Sequence, residues 1–135
     1  MKENKSVINI ITTNLLFPYI ICFAFYVQIF GKIGPGGGFQ AGAIFASGMI
    51  AYDISVKNIT SSLSSLLLVR FGAFGTLIYL LTGLYALFEG KNFLNYYVIS
   101  EKFGQAFGIM IVEFGVGITV FSIMLFLYME IKVAK

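Results

Sequence analysis

The chain has 135 residues, of which 59% are hydrophobic and only 11% are charged, whereas about 25% are charged in soluble domains. Nine basic and six acidic side chains cannot cover a water-soluble globule of this size, so a soluble enzyme is excluded. The net charge of +3 forms no basic patch, which also excludes a nucleic-acid-binding domain.

The residue types that usually build metal and acid–base sites are scarce. The chain has no histidine, and its single cysteine, Cys22, lies inside an apolar run. Histidine is the commonest metal ligand and a frequent general base. We therefore expect no disulfide framework, no enzyme active site, no cofactor, and no metal beyond a transported monovalent cation.

Only one charged residue, Glu113, lies within four long stretches of the chain, residues 6–31, 33–52, 71–88 and 103–129. A helix that spans a bilayer needs about 20 mostly apolar residues, and open-edged sheets cannot cross lipid. The sequence predicts an all-α integral membrane protein, a single membrane domain over residues 1–135 with a Gly-rich loop opening its second helix. The predicted spans are Val7–Phe30, Pro35–Ser55, Leu66–Phe88 and Gln105–Met129.

The distribution of basic residues predicts how the chain is oriented in the bilayer. Six Lys and Arg residues flank the termini and the loop at residues 56–65, whereas three lie on the opposite side. Since basic residues are enriched in cytoplasmic loops, we expect both termini to be cytoplasmic.

The most unusual segment is Gly34-Pro35-Gly36-Gly37-Gly38-Phe39-Gln40-Ala41-Gly42. One interpretation is a tight turn followed by a close helix–helix contact, because Gly38, Gly42 and Ala46 are spaced four residues apart. The other is irregular backbone at membrane depth, which exposes amides or carbonyls to an ion or water path. In that case, the side chain of Gln40 offers a hydrogen bond inside the membrane.

Glu113 lies about eight residues into the predicted fourth helix, or about 12 Å by helical rise. An ionised carboxylate at that depth is costly, so it is expected to be protonated, paired or facing a wet cavity. Three roles of Glu113 remain open: transport, a structural pair with another side chain, and setting the register of the helices. Asp53 is a further candidate for the path, although its position at a helix end predicts a solvated carboxylate on the opposite side of the membrane.

Two segments carry a resemblance to a known family. The stretch from Pro35 to Gly42 resembles the signature loop of the MnhB-like family, which supplies a small membrane subunit to the multi-subunit Na+/H+ antiporters of Mrp type. Residues 113–120, Glu-Phe-Gly-Val-Gly-Ile-Thr-Val, resemble that family's late acid-x-Gly-Val segment and include Gly115 and Gly117. The chain departs from the family in lacking a histidine shortly before Pro35 and in having Ala41 where glycine is frequent.

The resemblance implies a small subunit in the cytoplasmic membrane of a bacterium or archaeon. Its partners would be the lipid bilayer, monovalent cations, protons and other antiporter subunits, including the large complex-I-like subunits that hold the principal proton machinery. It would be needed for assembly and would border the cation or proton path. Three alternatives remain open: a homologous subunit of an energy-converting hydrogenase, a stand-alone multidrug-type transporter and a purely structural scaffold.

Overall fold

The computed structural model describes residues 7–31, 36–56, 60, 63–98 and 104–134. Within these ranges all regular structure is helical, which confirms the predicted all-α class. The elements are α1 (Val7–Phe30), α2 (Gly38–Ser55), α3 (Ser65–Phe88), a short 3-10 helix (Tyr96–Val98) and α4 (Gly104–Val133). Compared with the prediction, α2 begins three residues later and α4 continues four residues further.

Three helices are long and apolar enough to cross a membrane, namely α1, α3 and α4 from Gln105 onwards. The chain is therefore a multi-pass membrane protein. The helix α2 has 18 residues and is rich in glycine, alanine and serine, so its length and composition do not identify it as a span. The crossing of the bilayer by α2 stays a prediction.

The helices form a layer in which α4 lies between α2 and α3, and α1 packs on α2. The contact between α3 and α4 is centred on Gly75 and Gly115. A Cβ atom on Gly75 would overlap the Gly115 carbonyl oxygen, and one on Gly115 would lie 2.8 Å from the Gly75 carbonyl oxygen. Small residues at such a contact let two backbones approach closely, which stabilises helix pairs in lipid.

The helices α2 and α4 run parallel to each other. A Cβ atom on Gly38 would overlap the Glu113 carbonyl oxygen, and one on Gly42 would lie 2.5 Å from the Gly117 carbonyl oxygen. Near the other end, the Tyr128 hydroxyl donates a hydrogen bond to Asp53, 75 positions earlier in the chain. The two glycine contacts have the same separation in sequence, so the helices keep one register along their length.

We expect Gly42→Leu to lower the free energy of unfolding by about 1–3 kcal/mol, because a larger side chain forces two packed backbones apart. Ser47→Leu is the matched control on the same helix, since Ser47 is exposed. Thermal unfolding of the purified protein in detergent measures both. Equal stability of the two variants would show that the α2–α4 contact tolerates a side chain.

Candidate functional site

The start of α2 packs directly on Glu113 of α4. Gly37 precedes the helix with a φ of +137°, a conformation that side-chain-bearing residues rarely adopt. A Cβ atom on Gly37 would lie 3.6 Å from the Glu113 Oε1 atom. The glycine segment and the membrane-embedded acid, which are about 75 residues apart in sequence, therefore meet at one place in the fold.

The amino-terminal end of α2 gives this carboxylate a favourable electrostatic neighbour. The first helical hydrogen bond runs from the Ala41 N–H to the Gly37 carbonyl at 3.0 Å, and no side chain caps the helix. The first amides of a helix lack an intrahelical acceptor and carry a partial positive charge. Over the described part of the chain, the one ion pair joins Lys132 to Asp53, so no described Lys or Arg pairs with Glu113.

Tyr96 lies close to the same part of α4. A Cβ atom on Gly108 would overlap the Tyr96 ring, so the short 3-10 helix packs on α4 about one turn before Glu113. Burial raises the pKa of the Tyr96 hydroxyl, and electrostatic interactions with Tyr79 and Glu113 raise it further. The Tyr96 phenol is therefore protonated at neutral pH.

Gln28 is a residue that sequence reasoning missed. Its side chain is 5% exposed, and its Oε1 atom lies 2.6 Å from the position that a Cβ on Gly117 would occupy. The Nε2 atom is buried and has no hydrogen-bond partner among the residues that the structure describes. The sequence provides only a weak indication that Gln28 is buried, because it lies in the last turn of α1, where an amide could equally face the membrane surface.

The other predicted site residues lie around this junction. Gly36 packs against α1, since a Cβ there would lie 3.0 Å from the Val27 carbonyl oxygen. Phe39 and Gln40 belong to the first turn of α2 and are exposed. A hydrogen bond of Gln40 inside the membrane stays a prediction. Pro35 lies outside the described residues.

Asp53 is not the solvated carboxylate that its position predicted. Its side chain is 0% exposed, because Thr60 and the end of α4 cover it. Its Oδ1 atom accepts hydrogen bonds from the Thr60 backbone N–H at 2.7 Å and from the Thr60 hydroxyl at 2.8 Å. Its Oδ2 atom accepts from the Tyr128 hydroxyl at 2.8 Å and from Lys132 Nζ at 2.6 Å.

These four bonds tie α2, Thr60 and α4 together. Asp53 and Gly38 are fifteen residues apart on α2, which is about 22 Å by helical rise. The structure thus keeps Asp53 and Glu113 near opposite ends of the α2–α4 pair, as the predicted topology required. Both oxygens of Asp53 already have two donors, whereas Glu113 has no ion-pair partner among the described residues.

We expect Asp53→Ala to lower the free energy of unfolding by about 1–3 kcal/mol, because it leaves four hydrogen-bond donors without their shared acceptor. Lys132→Met should cost clearly less in the Asp53→Ala background than in the unaltered protein, since the shared bond is already gone. Thermal unfolding of the two single variants and the double variant measures this coupling. Strictly additive effects would contradict the network.

Comparison of the sequence with known proteins identifies a family. Residues 8–126 match the family model described as a domain related to the MnhB subunit of Na+/H+ antiporters. The chain is 35% identical over 100 residues to a Staphylococcus haemolyticus protein named antiporter subunit mnhB2, covering 70% of this chain and 67% of that protein. It is 36% identical over 102 residues to the protein of the same name from Staphylococcus aureus strain Newman, covering 72% and 69%.

The matched region contains both segments on which the resemblance rested, and the fold brings those segments into contact. The match covers far more than half of the chain, and the two relatives agree with it. The chain therefore belongs to the MnhB-related family, as a membrane subunit of a multi-subunit Na+/H+ antiporter.

Proposed function

We propose that this subunit carries a site for protons and monovalent cations where the start of α2 meets Glu113. One observation carries the proposal. The Glu113 Oε1 atom lies 3.6 Å from the position that a Cβ on Gly37 would occupy, and no described basic side chain pairs with it. Glu113 is half-buried, has no ion-pair partner among the described residues, and lies beside glycines that have no side chain. Such a carboxylate can bind an exchangeable ligand.

Exchange follows from the chemistry of a single carboxylate. A proton and a monovalent cation each neutralise one negative charge, so they compete for Glu113 and cannot both be bound. Between the two states the carboxylate is ionised in a poorly solvated place, which is costly in a membrane. The partial positive charge at the start of α2 lowers that cost.

The absence of side chains at Gly37 and Gly38 contributes in two ways. At Gly38 it allows α2 to touch the α4 backbone, and at Gly37 it leaves the carboxylate oxygen uncovered on that side. Gln40 is exposed on the first turn of α2, where it would meet a neighbouring subunit. We assign Asp53 to assembly rather than to the path, because four hydrogen bonds occupy its oxygens.

The partners that we propose are the other subunits of the antiporter, including large complex-I-like subunits that hold the main proton machinery. Large side chains along α1 and α3 support this, since many of them are exposed, such as Tyr19 and Phe74 at 67% and 56%. Lipid and neighbouring subunits would cover these faces together. We propose that the complex lies in the cytoplasmic membrane and that α2 crosses the bilayer as α1, α3 and α4 do.

The variant Glu113→Gln keeps the shape of the side chain and removes its charge. We expect a complex that assembles at normal levels while its cation/proton exchange falls by about 100-fold or more, the loss typical of removing a proton-transfer group. Glu113→Asp should keep part of the activity. The measurement is Na+-dependent proton movement in inverted membrane vesicles, across a range of pH.

Glu130→Gln is the matched control, because Glu130 is an exposed acid on the same helix. Normal exchange by Glu113→Gln at every pH would contradict the proposed site. Loss of the assembled complex in Glu113→Gln, with normal assembly in Glu113→Asp, would instead make Glu113 half of a pair between subunits.

A second prediction concerns the orientation of the chain. In a Cys22→Ser background, Glu3→Cys and Lys91→Cys should be labelled from opposite sides of the membrane, with residue 3 on the cytoplasmic side. A membrane-impermeant maleimide, applied to intact cells and to inverted vesicles, distinguishes the sides. Labelling of both positions from one side would contradict the proposed topology.

A further inference from the structure

The first half of α1 has polar groups that no described residue of this chain satisfies. Asn14 is exposed, and its side-chain amide has no hydrogen-bond partner among the described residues. Pro18 lies inside the same helix. Because proline has no backbone N–H, the carbonyl group of Asn14, four residues earlier, loses its helical donor. Asn14 therefore presents both a side-chain amide and an unbonded backbone carbonyl.

These groups lie within an apolar span. Asn14 is seven residues beyond the start of α1 at Val7, which is about 10 Å by helical rise. Tyr19 is 67% exposed and lies about 18 Å from the same start, and its hydroxyl also has no partner in the part of the chain that the structure describes. Lipid tails offer neither donors nor acceptors, so polar groups at this depth are costly unless protein meets them.

The hydroxyl groups in the middle of α3 differ in this respect. The exposed Thr76 donates a hydrogen bond to the Gly72 carbonyl at 3.0 Å, and Thr82 donates one to the Ile78 carbonyl at 2.7 Å. These hydroxyls are satisfied within their own helix, and large apolar side chains such as Phe74 are exposed on it. The outer face of α3 therefore suits lipid, whereas that of α1 needs a hydrogen-bonding partner.

The pattern of side-chain sizes on α1 suits a second helix. Asn14, Pro18 and Cys22 are spaced four residues apart, and all three are exposed. Residues at this spacing form one row on a helix, and neighbouring helices pack rows of large side chains into rows of smaller ones. The two adjacent rows have larger side chains, namely Leu15, Tyr19 and Phe23 on one side and Phe17, Ile21 and Phe25 on the other. A helix that packs into the row of smaller side chains comes close to Asn14.

We propose that the row of Asn14, Pro18 and Cys22 is a docking surface for a membrane helix of another antiporter subunit, which donates a hydrogen bond to Asn14. The partner helix must supply a donor, because a backbone carbonyl only accepts. A hydroxyl or amide side chain meets this need and leaves no charge in the membrane. The inference rests on the proposed partners of this subunit, but not on the proposed role of Glu113.

Photo-cross-linking in the purified antiporter complex tests the surface directly. With Tyr19→p-benzoylphenylalanine, ultraviolet light should join this chain to another antiporter subunit, which mass spectrometry of the adduct identifies. Phe74→p-benzoylphenylalanine is the matched control on α3, since Phe74 is also largely exposed, at 56%, and it should yield lipid adducts.

Lipid adducts alone at residue 19 would overturn the proposal, and so would a cross-link between two copies of this chain. Capture of a subunit from residue 74 with the same yield as from residue 19 would remove the distinction between α1 and α3, and would also overturn it.

The hydrogen bond is tested with Asn14→Leu, which keeps the approximate size of the side chain and removes its polar atoms. We expect the amount of this subunit that co-purifies with the complex to fall about fivefold or more, because hydrogen bonds between helices help to hold membrane subunits together. Asn14→Gln should restore most of it. Thr76→Val is the control on α3 and should co-purify normally.

Pro18→Ala separates docking from folding, because it returns an N–H to the Asn14 carbonyl. The isolated subunit in detergent should unfold at the same temperature or a higher one, whereas its co-purification with the complex should fall. Normal co-purification of Asn14→Leu or of Pro18→Ala would overturn the proposal. A loss of co-purification that merely follows a loss of stability in the isolated subunit would overturn it too, since the row would then serve folding.

The two proposals fail in different ways. If Glu113→Gln exchanges normally while residue 19 captures an antiporter subunit, the exchange site is wrong and the docking surface stands. If Glu113→Gln is inactive while residue 19 captures only lipid, the exchange site stands and the docking surface is wrong.

Discussion

The constraint on which this structure depends is the direct contact of two backbones, α2 on α4. Carbonyl groups of α4 occupy the space that side chains would need at Gly38 and Gly42. Lipid tails are as apolar as leucine, so helices in a membrane gain little by burying large side chains and more by packing closely. The contact runs in one register from Gly38 to Asp53. That register decides which polar groups meet.

The two acids of this helix pair, Asp53 and Glu113, have different surroundings. At one end, Asp53 is fully buried and has four donors, so its charge is compensated and its oxygens are occupied. At the other, the backbone of Gly37 and Gly38 lies against Glu113, which has no ion-pair partner among the described residues. The buried pair holds the helices in place, whereas we propose that the carboxylate beside the helix terminus takes up and releases a ligand. Fixing α2 at Asp53 therefore keeps its other end on Glu113.

Much of this fold could be predicted from the sequence, because an uncharged run of about 20 residues has few alternatives to a membrane helix. The bounds of α1 were predicted to the residue. The crossing by α2 could not be established, since glycine and alanine suit close packing but carry little hydropathy. The burial of Asp53 depends on Tyr128 and Lys132, 75 and 79 positions away, and no local pattern shows such a contact. Gln28 was missed for the same reason, as its burial is set by Gly117 on another helix.

The most direct test of this account is whether α2 lies parallel to α4 in the assembled complex. Phe45 and Phe121 have ring centroids 6.3 Å apart. With Cys22→Ser as background, a short bifunctional thiol reagent should join Phe45→Cys to Phe121→Cys in native membranes. It should also join Met49→Cys to Leu125→Cys, one turn further along both helices, because Met49 packs against the cluster that contains Leu125. It should not join Met49→Cys to Gly117→Cys, which an antiparallel pair through the same contact would bring together. Cross-linking of the pairs 45–121 and 49–125 without 49–117 is the predicted result; cross-linking of 49–117 in place of 49–125, or no cross-link at 45 and 121, would contradict the parallel register.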